Sequence, residues 1–192
     1  MAAIFDEITD KALIILLQKG AVGILPTDTV YGLVCKASDP IAVKRLYDLK
    51  KRHHKPGTLI AADIDQLTEL GFKRRYLTAV QQFWPGAVSV VLVLSQSEKA
   101  YLLQDLPDIA VRIPNDKKLL ALLAKTGPLL TTSANAPGEE PAETVEAAEL
   151  YFQDKVDFYV DGGDLKDHQP STIIRIVDDA IEIIRQGAGK IQ

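Results

Sequence analysis

Helical and extended hydrophobic patterns alternate along this chain of 192 residues. Apolar residues recur at helical spacing from Ile4 to Ile15, which predicts an amphipathic helix over residues 5–19. The apolar run Ala21 to Leu25 predicts a buried strand, and Asp39-Pro40 predicts the start of a second helix. Further helices are predicted over residues 64–70, 73–83, 119–124 and 143–152. Further strands are predicted over residues 59–62, 88–94, 109–113, 129–132, 158–160, 172–177 and 181–184.

The order of these elements predicts an α/β (α+β) protein built on a twisted, mixed sheet flanked by helices. The final strands follow one another without helices between them, which argues against a purely parallel sheet. The longest irregular stretch covers residues 161–171, and the chain contains no internal repeat or long linker. We therefore expect residues 1–192 to form a single domain.

Composition places the chain among ordinary globular proteins, with 47% hydrophobic and 25% charged residues. Cys35 is the only cysteine, so no intramolecular disulfide is possible. Acidic residues precede the first apolar stretch, where a signal peptide would be basic, and Leu13 to Leu17 is too short to span a bilayer. These features predict a cytoplasmic protein with no membrane partner.

Positive charge is concentrated in the run Lys50-Lys51-Arg52-His53-His54-Lys55, although the net charge of the protein is −4. Asp48 is the only carboxylate within five residues of this run on either side. The end of a helix favours one or two lysines, but not six cationic or protonatable positions, so we expect the run to meet an anion. Because residues 126–192 carry a net charge of −8, any nucleic-acid contact is expected to be local.

Polar residues follow two predicted strands directly. Pro26 to Gly32 contains Thr27, Asp28 and Thr29, and the strand ending near Thr132 continues into Ser133 and Asn135. Ligands of α/β proteins bind at the carboxyl ends of strands, and hydroxyl and amide groups can hold phosphate oxygens or a nucleobase. Simple polar turns are an equally good interpretation of each segment.

Arg112 interrupts an otherwise apolar strand. An arginine there either projects to solvent, meets a carboxylate, or lines a cleft where it could hold a substrate carboxylate. Trp84 is expected to be a packing anchor. The chain contains no GxxxxGKS/T loop, no GxSxG around Ser133 and no recognised zinc spacing, so P-loop, nucleophile-elbow and zinc chemistry lack support.

Seven short motifs occur in a specific order. They are P-T-D/E-T-V-Y-G-L at Pro26 to Leu33, K-x-R at Lys50 and Arg52, W-P-G at Trp84 to Gly86, V-R-x-P at Val111 to Pro114, S-A-N at Ser133 to Asn135 with Pro141, S-T-I/V at Ser171 to Ile173, and R-x-G at Arg185 to Gly187. This order resembles the YrdC-like family, whose characterised members are threonylcarbamoyl-AMP synthases. Each motif alone is weak, but the ordered set covers roughly residues 8–190.

The resemblance implies an L-threonylcarbamoyladenylate synthase, a nucleotidyltransferase that forms threonylcarbamoyl-AMP and pyrophosphate from L-threonine, bicarbonate or CO2, and ATP. The product serves tRNA threonylcarbamoyladenosine modification. Magnesium would arrive with ATP, without a protein metal site. The resemblance also implies a positively lined, concave cleft, weak or indirect binding of tRNA or double-stranded RNA, and a downstream threonylcarbamoyl-transferase complex.

Carried over by motif, the resemblance implies three sets of site residues. The catalytic residues are Lys50 and Arg52. The ATP-binding residues are Lys50, Arg52, Thr131, Ser133, Asn135 and Arg185. The threonine-binding residues are Thr27, Arg112 and Thr172.

The chain departs from the family pattern at His53, where proline is usual, at Pro56-Gly57-Thr58, at Ala136-Pro137-Gly138, and at Asp116, where histidine is common. Since the sequence stops near residue 192, we also expect it to lack the additional C-terminal domain of longer members. A non-catalytic nucleotide- or RNA-binding module of the same fold is therefore the alternative function, followed by carbamoyl transfer to a different acceptor.

Overall fold

Ten strands form one sheet in the computed structural model, which describes residues 1–94, 97–178 and 180–191. The strands are β1 (Ala3–Phe5), β2 (Gly23–Leu25), β3 (Gly32–Lys36), β4 (Thr58–Ile60), β5 (Val88–Val93), β6 (Asp108–Arg112), β7 (Leu129–Ser133), β8 (Phe158–Val160), β9 (Thr172–Val177) and β10 (Ala180–Arg185). Their spatial order is β1-β8-β2-β3-β7-β4-β6-β5-β9-β10.

The sheet is mixed, as the sequence predicts. Strand β8 is parallel to both β1 and β2, and the β4–β6 and β5–β9 pairs are also parallel. The other neighbouring pairs are antiparallel. Strands that are distant in sequence therefore lie side by side, and their polar ends come together in one region of the sheet.

Six α-helices accompany the sheet in the described residues. They are α1 (Lys11–Gln18), α2 (Pro40–Lys50), α3 (Ile64–Leu70), α4 (Arg74–Val80), α5 (Lys117–Thr126) and α6 (Val145–Phe152). Asp39 caps α2 by accepting hydrogen bonds from the amides of Ile41 and Ala42, at 2.9 and 3.1 Å. Such a cap contributes about 1 kcal/mol to stability. None of these helices is long and apolar enough to cross a membrane.

Helices cover both faces of the sheet. The buried apolar residues of α1 and α5 form one cluster with Val34, Ile60 and Leu129, whereas those of α2, α3 and α6, together with Leu77 of α4, form another cluster with Leu33, Leu59 and Leu130. Adjacent strand residues thus enter opposite clusters, as side-chain alternation requires. The two clusters place the hydrophobic core in two layers, one on each side of the sheet.

The first helix is shorter than predicted. Ala3–Phe5 forms a strand that pairs with β8, and the carboxylate of Asp10 caps α1 by accepting a hydrogen bond from the amide of Ala12 at 2.6 Å. Residues 5–10 therefore do not belong to the helix. The predicted helix over 73–83 is also divided, because α4 ends at Val80 and a 3-10 turn covers Gln81–Phe83.

Strand β3 was not among the predicted strands. It is buried at Gly32, Leu33, Val34 and Cys35, and it pairs with β2 on one side and β7 on the other. A strand buried on both faces has no apolar–polar alternation, so periodicity gives it little signal. Its pairing brings the segment that follows β2 beside the end of β7.

Candidate active site

A cavity of about 450 Å³ lies on the same face of the sheet as α1 and α5. Thr58 on β4 and Thr131 on β7 line the cavity. Each lies two residues from a core residue of the same strand, Ile60 on β4 and Leu129 on β7. Residues two apart in a strand share a face. One end of this face therefore belongs to the core and the other end to the cavity.

The segment after β2 forms one wall and is rigidly hydrogen-bonded. The hydroxyl of Thr27 donates to the carbonyl of Val30 at 2.7 Å and accepts from the amides of Thr29 and Val30 at 3.2 Å. The buried Tyr31 hydroxyl donates to the carbonyl of Gly163 at 2.8 Å. This segment is thus a structured turn that presents Thr27, Thr29 and Tyr31 to the cavity.

Arg112 lines the cavity from β6, but its charge is already paired. The side chain is 3% exposed and its guanidinium forms an ion pair with the carboxylate of Asp28. Asp28 also accepts a hydrogen bond from the amide of Asn115 at 3.0 Å. Of the three possibilities for this arginine, the structure thus shows contact with a carboxylate at the cavity wall.

Lys50 lies behind the cavity wall and is not a wall residue. Its ammonium donates to the carbonyl of Ser133 at 2.9 Å, the carbonyl of Asn135 at 2.5 Å and the side-chain oxygen of Asn135 at 2.8 Å. Burial, followed by the charges of Arg52 and Lys55, lowers the pKa of Lys50 to about 8. The lysine therefore connects the end of α2 to the loop after β7.

The loop after β7 is shaped by Asn135. Its side-chain oxygen accepts a hydrogen bond from the Ser133 hydroxyl at 2.7 Å, and its side-chain nitrogen donates to the carbonyl of Glu139 at 2.7 Å. Ser133 and Thr131 line the cavity, whereas Asn135 does not. The S-A-N motif thus presents its serine and uses its asparagine to fix the loop.

Gly57 allows the loop that follows the basic run to approach β7. A Cβ atom at this position would lie 2.7 Å from the carbonyl oxygen of Thr131, which is closer than such contacts allow. The amide of Gly57 donates to the Tyr47 hydroxyl at 3.2 Å. The departure from the family pattern at Pro56-Gly57-Thr58 therefore closes this loop against the sheet, and Lys55, Pro56 and Gly57 line the cavity.

Cations dominate the charged groups of the lining. Asp108 is the only carboxylate among the described lining residues, and it pairs with Arg175 at 3.0 Å. Arg52, Lys55 and Arg185 pair with no carboxylate of the described residues. Burial lowers the pKa of Arg52, and burial together with Arg52 and Arg112 lowers the pKa of Arg185. This field favours an anionic ligand.

Ser171, rather than Thr172, lines the cavity at the start of β9. Ser171 is a wall residue, and its hydroxyl lies 2.9 Å from that of Ser89. Thr172 is fully buried and pairs in register with Val88, while the next residue, Ile173, is again a wall residue. Alternation along the strand turns Thr172 to the other face. The structure therefore places Ser171 in the cavity lining and Thr172 outside it.

Six of the nine residues implied by the motifs line the cavity together. These are Thr27, Arg52, Arg112, Thr131, Ser133 and Arg185. Lys50 and Asn135 contact each other behind the wall, and Thr172 faces away. Sequence reasoning missed Lys55 and Ser171, although both lie in segments that it selected.

Two residues outside the cavity explain other features of the sequence. The carboxylate of Asp116 caps α5 by accepting a hydrogen bond from the amide of Leu119 at 2.7 Å, which accounts for an aspartate at this position. Trp84 packs against the core and donates from its indole nitrogen to the carbonyl of Val88 at 2.9 Å, as expected of a packing anchor. Across residues 1–94, 97–178 and 180–191, no three His, Cys, Asp or Glu side chains are grouped to hold a metal ion.

A mixed ten-stranded sheet with a cation-lined cavity on one face defines an α/β protein suited to an anionic small molecule. The profile of the Sua5/YciO/YrdC family, which carries the description "telomere recombination", matches residues 15–187. The chain therefore belongs to the Sua5/YciO/YrdC family. The family resemblance deduced from the ordered motifs is confirmed.

Curated relatives carry the name of the activity that the motifs imply. The chain is 33% identical over 178 residues to a protein of Methanocaldococcus jannaschii that is provisionally named threonylcarbamoyl-AMP synthase, covering 92% of this chain and 84% of that protein. It is 30% identical over 177 residues to the threonylcarbamoyl-AMP synthase of Pseudoalteromonas translucida, covering 88% of this chain and 93% of that protein.

Solved structures share the fold. P. abyssi Sua5 complexed with L-threonine superposes with a TM-score of 0.84 at 27% identity, over 97% of this chain but only 57% of that one. E. coli YciO superposes with a TM-score of 0.84 at 25% identity, over 99% of this chain and 98% of that one. The chain thus spans little more than half of Sua5 and nearly all of YciO. The predicted mixed sheet flanked by helices is confirmed.

Proposed function

We propose that this chain, as a single domain over residues 1–192, is an L-threonylcarbamoyladenylate synthase. The observation that carries the proposal is the cavity in which Arg52, Lys55 and Arg185 are brought together without a carboxylate partner among the described residues. The names of the two curated relatives support the same activity. ATP, a carbamate and the developing pyrophosphate are all anions that such a cavity favours.

In the proposed reaction, the neutral amino group of L-threonine first forms a nitrogen–carbon bond to CO2, releasing a proton, or to bicarbonate, releasing water, and gives a carbamate. A carbamate oxygen then attacks the α-phosphorus of ATP, forming the new oxygen–phosphorus bond. The bond from the α-phosphorus to the bridging oxygen breaks, and pyrophosphate leaves with the electron pair. The protein contributes positioning and charge stabilisation, since this exchange needs no covalent protein intermediate.

The cationic wall suits the phosphates. Arg52 and Arg185 would hold the phosphate oxygens and the negative charge that develops on pyrophosphate. Thr131 and Ser133 would contact the nucleotide, while Lys50 and Asn135 hold the loop that carries Ser133. Magnesium would enter as part of the ATP substrate.

Hydroxyl groups elsewhere in the cavity lining suit threonine. Thr27 presents a hydroxyl from a rigid turn, and Ser171 adds a second hydroxyl. Arg112, whose charge is paired with Asp28, would shape the part of the wall against which the amino acid lies. The preference for threonine and the use of bicarbonate stay predictions, as do weak or indirect tRNA contact, a downstream transferase complex and a cytoplasmic location.

The test is pyrophosphate release by the purified protein with Mg-ATP, L-threonine and bicarbonate, with parallel detection of threonylcarbamoyl-AMP by mass spectrometry. We expect release only when all three substrates are present. Release that persists without threonine would contradict the proposal. ATP binding with no product under any condition would instead favour the non-catalytic nucleotide- or RNA-binding module.

A further inference from the structure

The segment that follows β10 is hydrogen-bonded to the start of β9. We define residues 186–191 as the C-terminal strap. The Thr172 hydroxyl donates to the carbonyl of Gly189 at 2.6 Å and accepts from the amide of Gly187 at 3.0 Å. The amide of Ala188 donates to the carbonyl of Pro170 at 2.9 Å. Thr172 is thus the side chain that joins β9 to the strap at two points.

The strap lies too close to its neighbours for side chains at two positions. A Cβ atom at Gly187 would lie 2.1 Å from the carbonyl oxygen of Pro170, and one at Gly189 would lie 2.6 Å from that of Ala87. Glycine therefore permits the backbone of the strap to approach the strand starts. The R-x-G motif at Arg185 and Gly187 has a structural reason in this close approach.

Arg185 enters the cavity immediately before the strap. Its guanidinium donates to the carbonyl of Ser171 at 3.2 Å from Nε and at 2.7 Å from Nη2. Both Arg185 and Ser171 line the cavity, whereas Thr172 does not. The S-T-I/V and R-x-G motifs therefore contact each other on both faces of the sheet. Arg185 meets Ser171 on the cavity face, and Gly187 meets Thr172 on the strap face.

The cationic surroundings of Arg185 explain why its contact with Ser171 is needed. The neighbouring guanidinium groups of Arg52 and Arg112 disfavour a charged Arg185 inside the cavity, and its bonds to Ser171 supply no negative charge. A free arginine in such surroundings would turn towards solvent. Holding it in place requires a fixed backbone on both sides of the side chain, at Ser171 and at Gly187.

We propose that Thr172 is a positioning residue that acts through the C-terminal strap to hold Arg185 and Ser171 in the cavity wall. The inference rests on the proposed function for the identity of the ligand, which is the polyphosphate of Mg-ATP. Thr172 touches no ligand in this arrangement. Instead, its hydroxyl fixes, through the strap, the orientation of the Arg185 guanidinium, which contacts the ligand.

The test compares Thr172→Val, which removes the hydroxyl at nearly constant volume, with Thr172→Ser, which retains it. Thr126→Val is the matched control, because Thr126 is also buried and donates to the carbonyl of Gly127 at 2.9 Å, but it is not a wall residue. We expect Thr172→Val to weaken Mg-ATP binding in calorimetry by about tenfold or more. Thr172→Ser should restore most of the affinity, and Thr126→Val should leave it unchanged.

A double-mutant cycle separates positioning from general destabilisation. If Thr172 acts through Arg185, then Thr172→Val should cost little further affinity in an Arg185→Met background. Additive losses in the double variant would overturn the proposed route. Equal losses for Thr172→Val and Thr126→Val would also overturn it, because both would then reflect lost stability alone.

Hydrogen exchange tests the strap without relying on activity. The amides of Gly187 and Ala188 should exchange faster in Thr172→Val than in the wild type or Thr126→Val. Unchanged exchange would refute the role of Thr172 even in an active enzyme. If instead the wild type binds no Mg-ATP while exchange changes as expected, the proposed function fails and the strap contact stands.

Discussion

Arg112 and Arg185 line the same cavity but have opposite electrostatic surroundings. Arg112 is almost fully buried against the carboxylate of Asp28, whereas Arg185 donates to neutral oxygens of Ser171 and has two arginines as charged neighbours. A buried charge without a counter-ion is unfavourable in the free protein. This difference supports the proposal that Arg112 is part of the wall structure, whereas Arg185 and Arg52 contact the anionic ligand.

Lys50 is a third case in this comparison. Its ammonium is buried like Arg112, but it is surrounded by three neutral oxygen acceptors. It therefore keeps a charge that can still respond to an anion beyond the wall. The four motif cations thus fall into three groups: Arg112 is paired with a carboxylate, Arg52 and Arg185 line the cavity without one among the described residues, and Lys50 is bound to neutral oxygens behind the wall.

The largest effect should follow from breaking the internal pair. Asp28→Asn leaves Arg112 buried without its counter-ion, and we expect the free energy of unfolding to fall by about 3–5 kcal/mol. Urea denaturation would measure the loss. Asp48→Asn is the control, because Asp48 pairs with Lys44 at an exposed site and should change stability by less than about 1 kcal/mol. Similar small losses in both variants would remove the distinction between Arg112 and Arg185.

Removing a cation that has no carboxylate partner among the described residues should affect catalysis instead of stability. We expect Arg52→Ala to lower kcat/KM for ATP by about 100- to 1000-fold, since it deletes a donor to the developing charge. The free energy of unfolding should change by less than about 1 kcal/mol. Lys51→Ala is the control, because Lys51 is exposed and is not a wall residue. Loss of stability in parallel with activity would place Arg52 in the same structural group as Arg112.

Local sequence signals predicted most of the fold. The capping signal Asp39-Pro40 located the start of α2, and apolar runs located most strands. Strand β3 was not predicted because it is buried on both faces and follows residues that are typical of a polar turn. The first helix was predicted too long because the pairing of Ala3–Phe5 with β8 joins segments from distant parts of the chain, which local patterns do not show.

The site was predicted less completely, for reasons of geometry. Motifs select a segment, but only the strand register decides which of two adjacent side chains faces the cavity. Ser171 and Thr172 differ in that respect alone. The separation of Lys50 from Arg52 depends likewise on how α2 ends and where the loop after β7 lies. The ordered motifs could therefore identify the segments that form the cavity. They could not decide which residues line it, which support the lining from behind and which contact the C-terminal strap.

The response of Lys50 should appear as a pH dependence of ATP binding. Burial and neighbouring cations lower its pKa to about 8 in the free protein, and a bound polyphosphate would raise that pKa by offsetting Arg52 and Lys55. Binding near pH 8 should therefore take up a proton, and affinity should fall as pH rises above 8, by at most about tenfold per pH unit. Calorimetry in buffers of different ionisation enthalpy measures the uptake. Lys50→Met should abolish both effects, and a wild-type affinity that is independent of pH from 7 to 10 would show that the ligand does not interact with Lys50.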